Sequence, residues 1–130
     1  MIRRPPRSTL SPSSAASDVY KRQELKRGVI ELCILSLLRN NEMYGYEIAK
    51  KLRVLTREVL SVEEGTLYPL LKRLESKGWL SVEWKIVGGR PRKYYKLTQL
   101  GMVAFERMRF YWDILVREVN KILEGELDVQ

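Results

Sequence analysis

The chain has no histidine and a single cysteine among its 130 residues. Without imidazole, His-based general acid–base catalysis and a His-activated cysteine nucleophile are excluded. Zinc-type His/Cys sites and an intramolecular disulfide framework fall with them. Cys33 lies in the apolar run VIELCILSLL and is expected to act as a small buried hydrophobe. No apolar run approaches the roughly 18 residues of a membrane span. Acidic residues are also short, 16 against 24 Lys plus Arg, which leaves a formal charge of +8. That balance favours a polyanionic partner, nucleic acid before an anionic membrane surface. Together these shortages point to a cytoplasmic, non-enzymatic binding protein with no metal and no cofactor.

The first 23 residues, MIRRPPRSTLSPSSAASDVYKRQ, stand apart. They hold three of the five prolines, five serines and half of the net charge, and they lack an apolar period. The composition is that of a disordered segment. No apolar core of 7–15 residues follows the arginines, so it is not a signal peptide. It is either a basic arm that adds phosphate contacts or, as its resemblance to translated sequencing-adapter sequence suggests, a non-native leader. The second is the expectation here, and the fold is read from residue 24.

From Glu24 the pattern becomes dense. ELKRGVIELCILSLLRNNE predicts a helix with a broad apolar stripe through Leu25, Val29, Leu32, Cys33 and Ser36, ended by Asn40-Asn41. MYGYEIAKKLRVLT predicts a shorter helix with Tyr44, Ile48, Leu52 and Leu55 on one face. Gly45 supplies close backbone approach or a turn at its start. SVEEGTLYPLLKRLESKG predicts a third helix. Ser61 and Glu64 fit a capping box, Gly78 a C-terminal glycine, and Leu67, Leu70, Leu71 and Leu74 an apolar stripe. Pro69 falls in the first turn if that helix starts near Thr66, or bends it if the start is nearer Ser61. LSVEWKIV alternates, with Leu80, Val82, Trp84 and Ile86 on one face. GGRPRK is expected to turn the chain, and YYKLT returns. Three helices followed by a β-hairpin describe a winged helix-turn-helix. From Thr98 to about Leu123, Phe105, Met108, Trp112, Leu115, Val119 and Ile122 keep three-four spacing, a seam for a partner helix from a second copy.

The blocks MYGYEIAKKL, EEGTLYPLLKRLESKGWL and GGRPRKYYKLT, in this order and followed by one long helix, resemble the PadR family of transcriptional regulators, in its short-tailed subgroup. The resemblance covers Glu24 to about Leu123. It implies a mainly α fold with a small β-hairpin: a winged helix-turn-helix over 24–97, a dimerisation helix over 98–124 and a tail over 125–130. It also implies a homodimeric DNA-binding protein, usually a repressor, on an inverted-repeat operator in double-stranded DNA. In members of the family a small aromatic or hydrophobic effector often releases the DNA.

The second helix of a helix-turn-helix enters the major groove. That places Thr66 and Tyr68 near bases or phosphates, with Lys72 and Arg73 as phosphate clamps. Tyr68 could equally pack into the core, and Arg73 could pair with Glu75 or Glu47. Tyr44 is the better DNA candidate of the two tyrosines in Y-G-Y-E. Arg90, Arg92 and Lys93 are expected at the wing tip. From Ser61 to Leu97 the net charge is +4, whereas from Thr98 onward it is −2, so positive charge gathers where DNA would lie. An effector site would lie near the seam, at Trp112, Met108, Tyr111 and Leu32; alternatively Trp112 only packs the dimer core. Two other functions compete: a constitutive DNA-binding dimer without a ligand, and a winged-helix protein–protein interaction module.

Overall fold

A computed structural model of the protein describes residues 27–125. The leader 1–23, the expected helix start at 24–26 and the tail 126–130 lie outside the described residues. The chain divides into two units, 1–30 and 31–130. Residues 27–37 are helical (α1), of which 31–37 belong to the second unit. That unit continues with β1 (Met43–Tyr44), α2 (Gly45–Leu55), α3 (Glu64–Ser76), β2 (Leu80–Val87), β3 (Arg90–Leu97) and α4 (Gln99–Leu123). The three strands form one antiparallel sheet in the order β1-β3-β2.

The most deeply buried side chains are Ile34 and Leu35 of α1, Leu38 just after it, Ile48 and Leu52 of α2, and Leu67, Leu71 and Leu74 of α3. Leu80 and Tyr95 of the sheet and Phe105 of α4 are also buried. In α1 the face turned inward is not the expected one. Glu31, Ile34, Leu35 and Leu38 are buried, and Leu32, Cys33 and Ser36 are half-buried. α1 is apolar almost all round, so its spacing does not choose a face. Burial raises the Cys33 thiol pKa, as expected of a cysteine used as a hydrophobe.

The helix starts are set by chemistry the periodicity does not show. The Tyr44 N–H donates to the Glu47 carboxylate at 3.2 Å and opens α2. Met43 and Tyr44, expected inside that helix, instead pair with Tyr95 and Tyr94 as a third strand. Leu55, expected on the buried face of α2, is exposed because the helix runs past the core there. α3 begins at Glu64 with Glu63 as its N-cap, so Ser61 caps nothing. Pro69 is therefore the sixth residue of α3, beyond the first turn. Its missing N–H leaves the Gly65 carbonyl without a helical donor, and Gly65 is exposed, where water can supply one.

The hairpin turn is Gly88–Gly89 alone, with φ of 59° and 78°. Two successive left-handed residues make the tight connection whose twist matches the strands. Arg90, Arg92 and Lys93 accordingly stand on β3 rather than in a turn. α4 leaves the sheet through a close joint. Thr98 Oγ1 donates to the Gly78 carbonyl at 2.6 Å and accepts from the Gly101 N–H at 3.0 Å. A Cβ on Gly101 would stand 2.2 Å from the Trp79 carbonyl oxygen, so only glycine fits. Among the described residues no helix is long and apolar enough to cross a membrane.

Candidate nucleic-acid interface

A groove of about 520 Å³ opens between α3, the start of α2 and the hairpin. Tyr68 and Lys72 line one side, Gly45 and Tyr46 the end, and Trp84, Pro91, Arg92 and Lys93 the other side. Gly45 of the Y-G-Y block meets Tyr68 of α3. A Cβ on Gly45 would lie 2.6 Å from Tyr68 Cε1 and 2.7 Å from its hydroxyl, so the ring rests on bare backbone. One side of the Tyr68 ring is packed, and the residue is 43% exposed. Burial, then the nearby Glu64 carboxylate, then Tyr95, raise its pKa. At neutral pH it is a protonated phenol, a hydrogen-bond donor.

The basic residues are held in different ways. Lys72 is exposed on α3, with no ion-pair partner among the described residues. Arg73 Nη1 lies 3.6 Å from Glu31 Oε2, and Glu31 is 6% exposed. The structure thus gives Arg73 a partner in α1, not the Glu75 or Glu47 considered from sequence. Glu75 instead faces Lys93 at 3.8 Å. The Arg92 guanidinium sits 4.4 Å from the Tyr44 ring centroid. Tyr44 in turn stacks on Tyr46 at 6.3 Å and meets Tyr94 edge-on at 5.4 Å. Lys85 hydrogen-bonds Glu42, which raises its pKa, and lies 5.0 Å over Tyr94. Strand alternation splits the expected wing cluster. Arg90 and Arg92 share the face of Tyr44, and Lys93 shares that of Trp84. Thr66 is exposed on the first turn of α3. Tyr46, Trp84 and Pro91 are groove residues outside the expected set; the alternation of β2 placed Trp84 on a face but not beside α3.

On α4, Phe105 is 4% exposed and lies under the Arg39 guanidinium, 4.9 Å from its ring. It belongs to the chain's own core rather than to an open seam. Beyond it Met108 is half-buried, and Trp112, Leu115, Val119 and Ile122 are exposed along the helix. Tyr111 is exposed at the edge of that stripe, and Leu32 is half-buried on α1. Among the described residues no group of three or more Asp, Glu or Cys could hold a metal ion.

The family model described as the transcriptional regulator PadR-like family matches residues 34–107, which include α2, α3, the sheet and the start of α4. The protein belongs to the PadR-like family of transcriptional regulators. It is 37% identical over 97 residues to a transcriptional regulator of Mycobacterium tuberculosis, a match covering 75% of this chain and 88% of that protein. A solved PadR family transcriptional regulator from Eggerthella lenta is 38% identical with a TM-score of 0.73, covering 86% of this chain and 98% of that one. A PadR-like transcription factor structure from Bacteroides fragilis is 39% identical with a TM-score of 0.66, covering 79% and 98%. The negative transcriptional regulator PadR of Bacillus subtilis is 32% identical over 74 residues, 56% of this chain and 41% of that protein. The fold is the winged helix-turn-helix of these PadR-like proteins with a long C-terminal helix. The protein is a regulator of transcription and not an enzyme.

Proposed function

We propose that this regulator is a cytoplasmic homodimer that binds an inverted-repeat operator in double-stranded DNA, represses, and is released by a small aromatic or hydrophobic compound. The groove carries the reading. It brings a protonated phenol, an unpaired lysine on α3 and two wing cations to one concave surface. α3 supplies the recognition helix, with Thr66 and Tyr68 toward the bases and Lys72 toward phosphate. Arg73 adds a phosphate contact only in competition with Glu31. Arg92, already held over Tyr44, gives up little side-chain freedom on binding.

The exposed stripe from Met108 to Ile122 supports the dimer. Apolar side chains at coiled-coil spacing over four turns are covered by a like helix from a second copy. The B. subtilis relative, a negative regulator by name, supports repression. Trp112, 39% exposed midway along the stripe and flanked by Met108 and Tyr111, is the candidate effector contact, with Leu32. Planar aromatic compounds are expected to quench its fluorescence in a Trp79→Phe/Trp84→Phe background, and no longer to do so after Trp112→Ala.

The test of the interface is salt dependence. Each phosphate contact adds about 0.9 to the slope of log affinity against log salt. Arg90→Ala/Arg92→Ala is expected to weaken all duplexes alike and to flatten the slope by about 1.8 per wing. An unchanged slope removes the wing from the interface.

A further inference from the structure

The outer half of the wing is apolar where a DNA-binding hairpin is expected to be polar. Trp84 is 65% exposed and Ile86 72%. Ile86 stands opposite Pro91 and Trp84 opposite Lys93, so strand alternation puts all four on one face. That face runs into the groove, where Trp84, Pro91 and Lys93 lie across from Tyr68 and Lys72. The Ile86–Pro91 pair is one rung from the closing pair Val87–Arg90 and the Gly88–Gly89 turn. It is thus the apolar element nearest the tip of the wing.

The surroundings select what covers it. Lys93 on the same face, Lys72 across the groove on α3 and Arg92 at the groove's edge set positive charge beside this apolar face, and Arg90 stands on the reverse face at the tip of the hairpin. A second copy of the wing would bring the same cations and be repelled. A duplex minor groove has the complementary make-up, with phosphates along its walls and apolar sugar faces between them. Isoleucine and proline are among the side chains that wedge between base steps from the minor groove, unstack them and bend the duplex. Proline is rigid and brings no N–H that would go unpaired. We infer that Ile86 and Pro91 form an apolar wedge in the minor groove of the bound duplex, so that operator choice depends on a deformable base step beneath the wing. The inference rests on the DNA-binding reading above. It adds a specificity term that needs no base hydrogen bond, because pyrimidine–purine steps unstack most easily.

The full chain is used to select duplexes from a randomised 30-base-pair pool. Two duplexes that differ only in a TA or an AA step at the position under the wing are then compared. The wild type is expected to prefer TA by about tenfold. Ile86→Ser and Pro91→Ser are expected to bring that preference within about twofold and to reduce the bend measured by end-to-end energy transfer. The salt slope is expected to stay the same, since no charge is removed. Ile86 is exposed, so the serine variant keeps the wild-type circular dichroism. Variants that retain both preference and bend overturn the wedge. So does a change in the sedimentation of Ile86→Ser without DNA, which would assign the face to a second copy. A wild type that enriches duplexes without such a step overturns the wedge alone, and one that enriches no duplex overturns the DNA-binding reading as well.

Discussion

Gly45→Ala separates the groove from the core. The added Cβ would lie 2.6 Å from Tyr68 Cε1, 2.7 Å from its hydroxyl and 2.9 Å from Cζ. Ordinary carbon contacts are about 3.5 Å, so the ring has to retreat by about 0.9 Å. It can, because Tyr68 is part-exposed and swings outward rather than into Leu67 or Leu71. Leaving its rotamer well costs about 0.5–1.5 kcal/mol. Alanine's advantage over glycine in a helix, up to about 1 kcal/mol, offsets much of that. The melting temperature is therefore expected to move by no more than about 5 °C. DNA affinity is expected to drop further, because the phenol no longer points where it did. A hydrogen bond to a charged group is worth about 1.5–3 kcal/mol, or roughly 10- to 100-fold in affinity. Fluorescence anisotropy with a labelled duplex from the selected pool measures the loss. Tyr68→Phe, which keeps the ring, is expected to lose the hydroxyl's share alone. The decisive comparison is the double variant Gly45→Ala/Tyr68→Ala. If glycine acts only through the ring, this binds no worse than Tyr68→Ala. Equal losses from Gly45→Ala in both backgrounds would refute the argument.

Leu115→Glu puts a charge in the open stripe of α4 and is expected to give monomers by light scattering; a variant that remains dimeric would remove the seam. Arg73→Ala leaves the Glu31 carboxylate buried without its cation and is expected to cost about 1–2 kcal/mol in chemical denaturation, discounted because Arg73 is half-exposed. Arg73→Ala/Glu31→Gln recovers most of that loss if the pair is what matters. Burial raises the pKa of Tyr68 and Tyr95, whose folded forms keep their protons when unfolded tyrosines have lost them. The stability they contribute is full below about pH 10 and is lost as pH rises through the raised values. Absorbance at alkaline pH is expected to lose, in Tyr68→Phe, a phenol that ionises above the range of free tyrosine; if the lost phenol ionises within that range, the packing of Tyr68 on Gly45 is wrong.

The elements were legible where side-chain period and length agree. α3, the alternation of β2 and the whole of α4 follow from leucine spacing, from Leu80 to Ile86 in steps of two, and from the run ending at Leu123. Errors arose where several solutions share one pattern. α1 is apolar on most sides, and only burial in the core selected Ile34, Leu35 and Leu38 over Leu32 and Cys33. Met43 and Tyr44 are too few to carry a strand period, and they became β1 because β3 was there to pair with them. Ser61 and Glu64 matched a capping box by spacing, but the loop from Thr56 leads α3 in at Glu63. Its path is held by Thr56 Oγ1, which donates to the Leu52 carbonyl at 2.5 Å and accepts from the Leu60 N–H at 3.0 Å.

Charge and period are local properties, and the sequence carries both whole. The absence of histidine excludes His-based catalysis, the excess of Lys and Arg concentrates positive charge between Ser61 and Leu97, and the spacings name the helices. Contact across the chain is not local. That Gly45 makes room for Tyr68, that Glu31 takes Arg73, that Phe105 turns inward while Trp112 stays out, and that Trp84 and Pro91 stand across from Lys72 all depend on which distant segments meet. Those meetings are decided by burying four helices against one sheet. Each residue's role follows from what that burial leaves beside it.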